Sequence, residues 1–325
     1  MSAISQAKPA WRMERYAPAL LLAVALAIYV VIALGLGQTR FLTPDAAIGI
    51  LNRSIALGVT AVGQTFAILV GSIDLSVAHL ISASAVVSSA IMNGDPSMVL
   101  PAVLAVLAMG AVVGALNGLL ITKLEVNPLI ATLGMALVIQ GCLASFHGSF
   151  KGSVPDEFQV FAYGTFLGLP ISLTVLALMV LAAWGALRFT RFGSNVYSVG
   201  GNRDTARAAG IKTARVVITT HIICSLCASV AGLYLASRLK SGTPWIGAEG
   251  AYDLESIAVV VIGGTILAGG KGGIWGTVAG VIIFSLIDSI FNIAGVDAFA
   301  KQVMRGIIIV TAVAFYAVRS KRLVA

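Results

Sequence analysis

Apolar positions along this chain gather into long runs, and polar positions gather into short clusters between them. The first run, residues 17–37, holds 21 residues without a charge, enough to cross a bilayer that needs about 20. It is too long for a signal-peptide core and lacks a convincing cleavage site, so it is expected to remain as a span. Further runs occupy residues 48–71, 98–121, 127–146, 169–187, 216–237, 274–293 and 298–318. Two shorter runs, 77–92 and 256–270, hold 16 and 15 residues, too few for a straight span. The pattern predicts an all-α polytopic membrane protein of about ten transmembrane segments, some short or broken at glycine-rich motifs.

The short runs border such motifs. Gly71-Ser72-Ile73-Asp74-Leu75-Ser76 precedes the first, and Gly269-Gly270-Lys271-Gly272-Gly273 ends the second. Paired broken helices in two halves of a transporter mark a translocation path, because freed backbone groups need a polar cavity. Close helix packing by glycine is the plainer reading. Gly110, Gly114 and Gly118, at four-residue spacing, also permit close packing. Pro128 stands at the start of the fifth run, a tolerated first-turn position.

Composition agrees with this class. Apolar residues are 58%, charged residues 10% and mean hydropathy is +0.99, whereas a soluble domain carries about 25% charge. A net charge of +8 would suit nucleic acid, but the charges lie between apolar runs, so no nucleic-acid partner is expected. If both termini are cytoplasmic, 14 of the 21 basic residues fall on that side and 7 on the other, as the positive-inside rule asks. The division expected is a cytoplasmic tail at 1–16, a transmembrane domain at 17–318 with a cytoplasmic loop at 188–215, and a cytoplasmic tail at 319–325. No polar stretch is long enough for a separate catalytic domain. Cys142, Cys224 and Cys227 lie in apolar runs and give no disulfide framework.

The loop at 188–215 carries six basic residues. Within it Asn202 suits an N-cap, Asp204 suits the positive first turn, and Gly210 suits a left-handed helix end. Arg203 to Ala209 would make about 10 Å of helix. Ala206, Ala208 and Ala209 leave it thin enough to enter a cleft on a cytoplasmic partner, with Arg203 and Arg207 on one face. The alternative is a solvated loop whose arginines touch lipid headgroups.

Asp74 and Asp288 are the carboxylates placed deepest. Charge at membrane depth costs at least about 2.5 kcal/mol, so it faces a cavity or a partner. Asp74 reads either as part of a polar path or as a cap for the next segment, with Ser76 and His79 nearby. Asp288 reads as a residue near the outer interface. Asn52, Gln64 and Thr65 on the second run would line a path for a hydroxylated solute or bond neighbouring helices. Gly71, Ser76, Gly269 and Gly270 complete that candidate path. Gly270-Lys271 fails as a phosphate loop, which would need Gly at Thr265 and Ser or Thr at Gly272. No nucleophile–base constellation and no metal-ligand cluster is visible, so an enzyme is not expected.

Four motifs together resemble the permease subunits of ribose-type sugar ABC importers. Gly71 to Ala78 reads GSIDLSVA, close to the family's GGIDLSVG; Asn127 to Gly134 reads NPLIATLG; Gly201-Asn202 through Ala206 with Ala209-Gly210-Ile211 is the third; Ala258 to Gly273 reads AVVVIGGTILAGGKGG. The departures are Ser72 and Ala78 where Gly is usual, and Arg207 where a small residue is common. The resemblance implies a homodimer or paired heterodimer in the bacterial inner membrane. It would be bound to ABC ATPase subunits that hold ATP and Mg, and served by a periplasmic sugar-binding protein. Asn202 to Gly210 would then be the ATPase-coupling helix. The permease itself would bind no cofactor or metal. Branched-chain amino acid permeases are the nearest rival, and the Asp74 motif favours the sugar branch. A secondary carrier would instead need an ion-coupling site.

Overall fold

The computed structural model describes the backbone of residues 10–145 and 152–324, and the side chains of 17–145 and 152–311. All ten apolar runs contain a helix. They correspond to α1 (Ala10–Gly35), α2 (Pro44–Leu69), α3 (Val77–Met92), α4 (Val99–Lys123), α5 (Pro128–Ser145), α7 (Ile171–Phe189), α10 (Thr213–Leu239), α12 (Tyr252–Ile262), α13 (Ile274–Ile293) and α14 (Ala298–Val324). Between them, among the described residues, lie four short α-helices, α6 (Asp156–Tyr163), α8 (Arg191–Gly201), α9 (Arg203–Ala208) and α11 (Ile246–Glu249), and two 3-10 turns at Thr39–Leu42 and Pro96–Met98. A small antiparallel hairpin, β1 (Thr165–Phe166) with β2 (Leu169–Pro170), joins α6 to α7. Among the described residues, seven helices are long and apolar enough to cross a membrane.

Local chemistry sets the ends. Thr43 caps α2 by accepting from Ala46 N, and Pro44 fills its first turn, so α2 begins four residues before the apolar run does. The run at 256–270 is not one helix. α12 covers only Tyr252–Ile262, and Gly264 (φ +91°) turns the chain away from the helical path. The break is therefore longer than the glycine run alone indicates. The loop at 188–215 holds two helices rather than one, because Thr190 caps α8 at Gly193 N and Asn202 then caps α9 at Thr205 N.

α10 and α2 form the centre, with 67% and 56% of their most apolar windows buried against 17% for α1. α4 lies close on α10. A Cβ on Gly114 would stand 2.6 Å from Ile222 Cα, and one on Gly118 would stand 2.6 Å from Ile218 Cα. The four-residue glycine spacing thus serves backbone-to-backbone packing. Gly63 of α2 approaches α10 in the same way, where its Cβ would meet Cys227 Cβ at 2.8 Å. Cys224 and Cys227 are buried, free and part of this core.

Candidate functional site

Three breaks meet at one point. α2 ends at Leu69, and Gly71 adopts φ +76°, a conformation that favours glycine. The break after α12 returns to the same place, where Gly270 N donates to Leu69 O at 2.9 Å. A Cβ on Gly269 would stand 2.7 Å from Gly71 N. The end of α8 forms the third side. A Cβ on Gly200 would collide with Leu69 O and stand 2.6 Å from Gly270 N, and one on Gly270 would stand 2.8 Å from Gly201 Cα. Gly71, Gly269 and Gly270, proposed from the sequence as part of a path, come together in a backbone joint with α8, the helix that leads into α9.

Asp74 sits beside this joint, fully buried. Its Oδ1 accepts from Ser76 N at 2.9 Å and from Ser76 Oγ at 2.5 Å. Asn117 Nδ2 of α4 lies 3.4 Å from Oδ2 and donates to Ser76 Oγ at 3.0 Å. His221 Nδ1 of α10 lies 3.2 Å from Oδ2. With its amide oriented to satisfy both groups, Gln64 accepts from Asp74 N at 3.2 Å and donates to Asp74 O at 3.3 Å. Thr132 of α5 closes the break from another side, accepting from Leu75 N at 3.1 Å. Asp74 thus holds α4 and α10 at its carboxylate and α2, through Gln64, at its backbone, just ahead of α3. It is not the N-cap of α3. That place is taken by Ser76, and Asp74 receives the N–H of Ser76 itself. His79 stands outside this cluster, with Nδ1 buried and unbonded.

Ser72 Oγ lies 2.8 Å from His221 Nε2, which completes a chain Ser72–His221–Asp74. The order matches a nucleophile, base and orienting acid, a constellation the sequence alone did not reveal. All three side chains are sealed in the protein, at 3%, 0% and 0% exposure, so the chain clasps the break and offers nothing to a substrate.

The other candidates are spread more widely. Asn52 lies twelve residues before Gln64, about 18 Å along α2, and does not join the Asp74 cluster. Tyr234 Oη donates to its carbonyl at 2.8 Å. Thr65 Oγ1 lies 2.7 Å from Thr277 Oγ1, joining α2 to α13. In α9, Asp204, Arg207, Ala208, Ala209 and Gly210 are exposed with Asn202, Arg203 is half-buried, and Gly210 takes φ +84°. Ala206, expected to enter a partner cleft, instead faces inward at 4% exposure, packed in the core of this chain.

Sequence reasoning missed Asn117, Thr132 and His221 as partners of Asp74. Their signal was slight: single polar residues inside apolar runs. It also missed an ion cluster. Arg305 of α14 makes a two-nitrogen contact with Asp288, at 2.5 Å to Oδ2, and lies 2.9 Å from Glu255 Oε1 of α12. Asp288 thus has a charged partner, one of the two alternatives expected of a deep carboxylate, and joins α13 to α14.

The comparisons agree on a family. A family described as branched-chain amino acid transport system / permease component matches residues 46–313. The chain is 35% identical to the ribose import permease protein RbsC of Escherichia coli K12, with 94% of each chain covered. It is 37% identical to RbsC of Bacillus subtilis, over 87% of this chain and 88% of that one. It is 35% identical to the L-arabinose transport system permease protein AraH of E. coli K12, over 82% and 81%. No solved structure matches it.

Proposed function

The chain belongs to the branched-chain amino acid transport system permease component family, and from that premise we propose that it is the membrane-spanning subunit of an ATP-driven importer for a monosaccharide or related polyol. The family's description names branched-chain amino acids, but the relatives that cover most of the chain are named for ribose and L-arabinose. That coverage favours the sugar. ATP is hydrolysed by a partner ABC subunit, a periplasmic binding protein delivers the cargo, and a second permease subunit completes the path. The protein lies in the bacterial inner membrane with about ten segments; among the described residues, seven helices are long and apolar enough to span. Both tails, 1–16 and 319–325, and the 188–215 loop are cytoplasmic, because the basic residues concentrate there.

One observation supports the mechanism. α9 is joined through Gly200 and Gly201 to both helix breaks, so a pull on α9 reaches α2, α3 and α12 without passing through flexible side chains. α9 is the ATPase-coupling helix. Closure of the ATPases moves it, and the breaks at Gly71 and Gly269-Gly270 re-angle the spans to open the path to the other side. Asn52, Gln64, Asp74 and Ser76 support that path: Asp74 and its partners hold the break, and Asn52 stands nearer the far end of α2.

The test is uptake in proteoliposomes with the ATPase and the binding protein. ATP depletion should stop uptake and an uncoupler should not; the reverse result identifies a secondary carrier. Arg207→Glu should weaken co-purification of the ATPase, more so at low salt, while Lys8→Glu and Lys321→Glu should not. Unchanged co-purification with Arg207→Glu and with Ala208→Trp would make the loop a mere connector.

A further inference from the structure

The transport reading leaves a cavity at the end of α7 without a role. It opens where α1, α7, α8 and α13 meet beside the Gly263–Gly273 break and encloses about 720 Å3. Arg188, Ser194 and Tyr197 line it together with Leu22, Trp184 and Trp275. Arg188 is exposed and, among the described residues, has no ion-pair partner. Among the described residues, no acidic side chain lines the cavity. The amino end of α13 opens into it with no side-chain cap and no acid in its first turn, which adds to the positive field.

Its apolar lining includes aromatic rings. The rings of Trp184 and Trp275 lie 6.1 Å apart, and Trp184 meets Phe189 edge-on at 5.2 Å. Phe189 is 71% and Trp275 54% exposed. Exposed tryptophans at the ends of apolar helices belong at headgroup depth. α7 and α13 both pass from apolar run to polar loop at this level. A cleft lined by a cation and by aromatic rings, set at that depth, fits an amphiphile with an anionic head.

We propose that this cavity is a binding site for one anionic phospholipid, its phosphate beside Arg188 and Ser194 and its acyl chains along Leu22 and Trp275. A zwitterionic lipid would bring an ammonium to a place where no described side chain is a carboxylate. The proposal goes beyond transport: it needs neither cargo, ATP nor a partner subunit, and failure of the importer assignment leaves it standing.

The full chain carrying Trp11→Phe and Trp245→Phe keeps Trp184 and Trp275 as its only tryptophans. It is placed in phosphatidylcholine nanodiscs containing a small, equal fraction of either brominated phosphatidylglycerol or brominated phosphatidylcholine. The phosphatidylglycerol should quench tryptophan emission with about a fivefold lower half-effect fraction, the preference expected of one cation facing an anionic head. Arg188→Gln should abolish the preference, and Lys123→Gln should keep it. Ser194→Phe fills the cavity while leaving Arg188 in place, and it too should abolish the preference, so the test survives if either variant fails to insert. Equal quenching by the two lipids in the parent overturns the proposal, as does a preference that survives both cavity variants. A preference removed by inorganic phosphate also overturns it, since the site would then hold a soluble anion.

Discussion

Asp74 accepts hydrogen bonds inside the protein at both carboxylate oxygens, and its partners come from chain positions 43 and 147 residues away. Removing the carboxylate leaves Asn117, His221 and Ser76 without their shared acceptor. Asp74→Leu should therefore destabilise the fold by about 3 kcal/mol, as for other buried pairs broken on one side. Asp74→Asn keeps one acceptor oxygen and should cost less. The comparison is a thermal melt of detergent-purified protein, and equal Tm values for Leu and parent would dismiss the clasp. Ser72→Gly removes the hydroxymethyl group whose hydroxyl faces His221 and restores the residue usual in the family motif. It should cost about 1 kcal/mol and leave uptake intact. The importance of Asp74 was legible because charge in an apolar chain demands a reason. Its partners were not, because nothing in a linear sequence says which of several isolated polar residues will meet. Ala206 was misjudged for a related reason. Spacing places alanines around a six-residue helix, but only packing decides that Ala206 turns inward while Ala208 and Ala209 stay exposed. Bulk meant to disturb a partner belongs at Ala208.

Elements were legible where one physical signal dominated. α3 and α13 coincide with their apolar runs, because a polar break or glycine run stands at each end. α8 was hidden. Its inward residues Gly193, Val196 and Val199 are few, and glycine and serine between them suggested a loop. Yet α8 is what ties α9 to the breaks, and this gives an internally controlled prediction. At Gly200 an added methyl meets backbone on two sides, Leu69 O and Gly270 N, and backbone cannot swing away as a side chain can. At Gly201, one residue later, an added methyl meets nothing within 4 Å. Gly200→Ala should push α8 off the joint and reduce ATP-driven uptake at least tenfold, the effect of about 1.4 kcal/mol on the coupled state. Gly201→Ala should transport nearly as the parent does. Equal activity in the two variants would mean that the joint transmits nothing.

At the scale of the whole molecule, the segment pattern and the charge pattern make separate statements that must agree. The proposed ten segments would put both termini on one side, and the 14 to 7 split of basic residues is the ground for proposing the cytoplasmic one. The structure adds a requirement. The hairpin before α7 and the loop after it stand at opposite ends of one nineteen-residue helix, about 28 Å apart, so they cannot share a side of the bilayer. Leu167, at the hairpin tip, is 88% exposed, and Thr205 of α9 is exposed. Cys142 is exposed and must first be replaced by Ser, whereas Cys224 and Cys227 are buried. In that background, a membrane-impermeant maleimide applied to intact cells should label Leu167→Cys and leave Thr205→Cys unlabelled until the membrane is opened. The opposite pattern would invert the protein, and α9 would then face the periplasm, out of reach of any ATPase. Labelling of both from outside would break the even count itself. The result therefore bears on the coupling assignment as directly as any change within α9, because no local chemistry can link that helix to ATP from the wrong side.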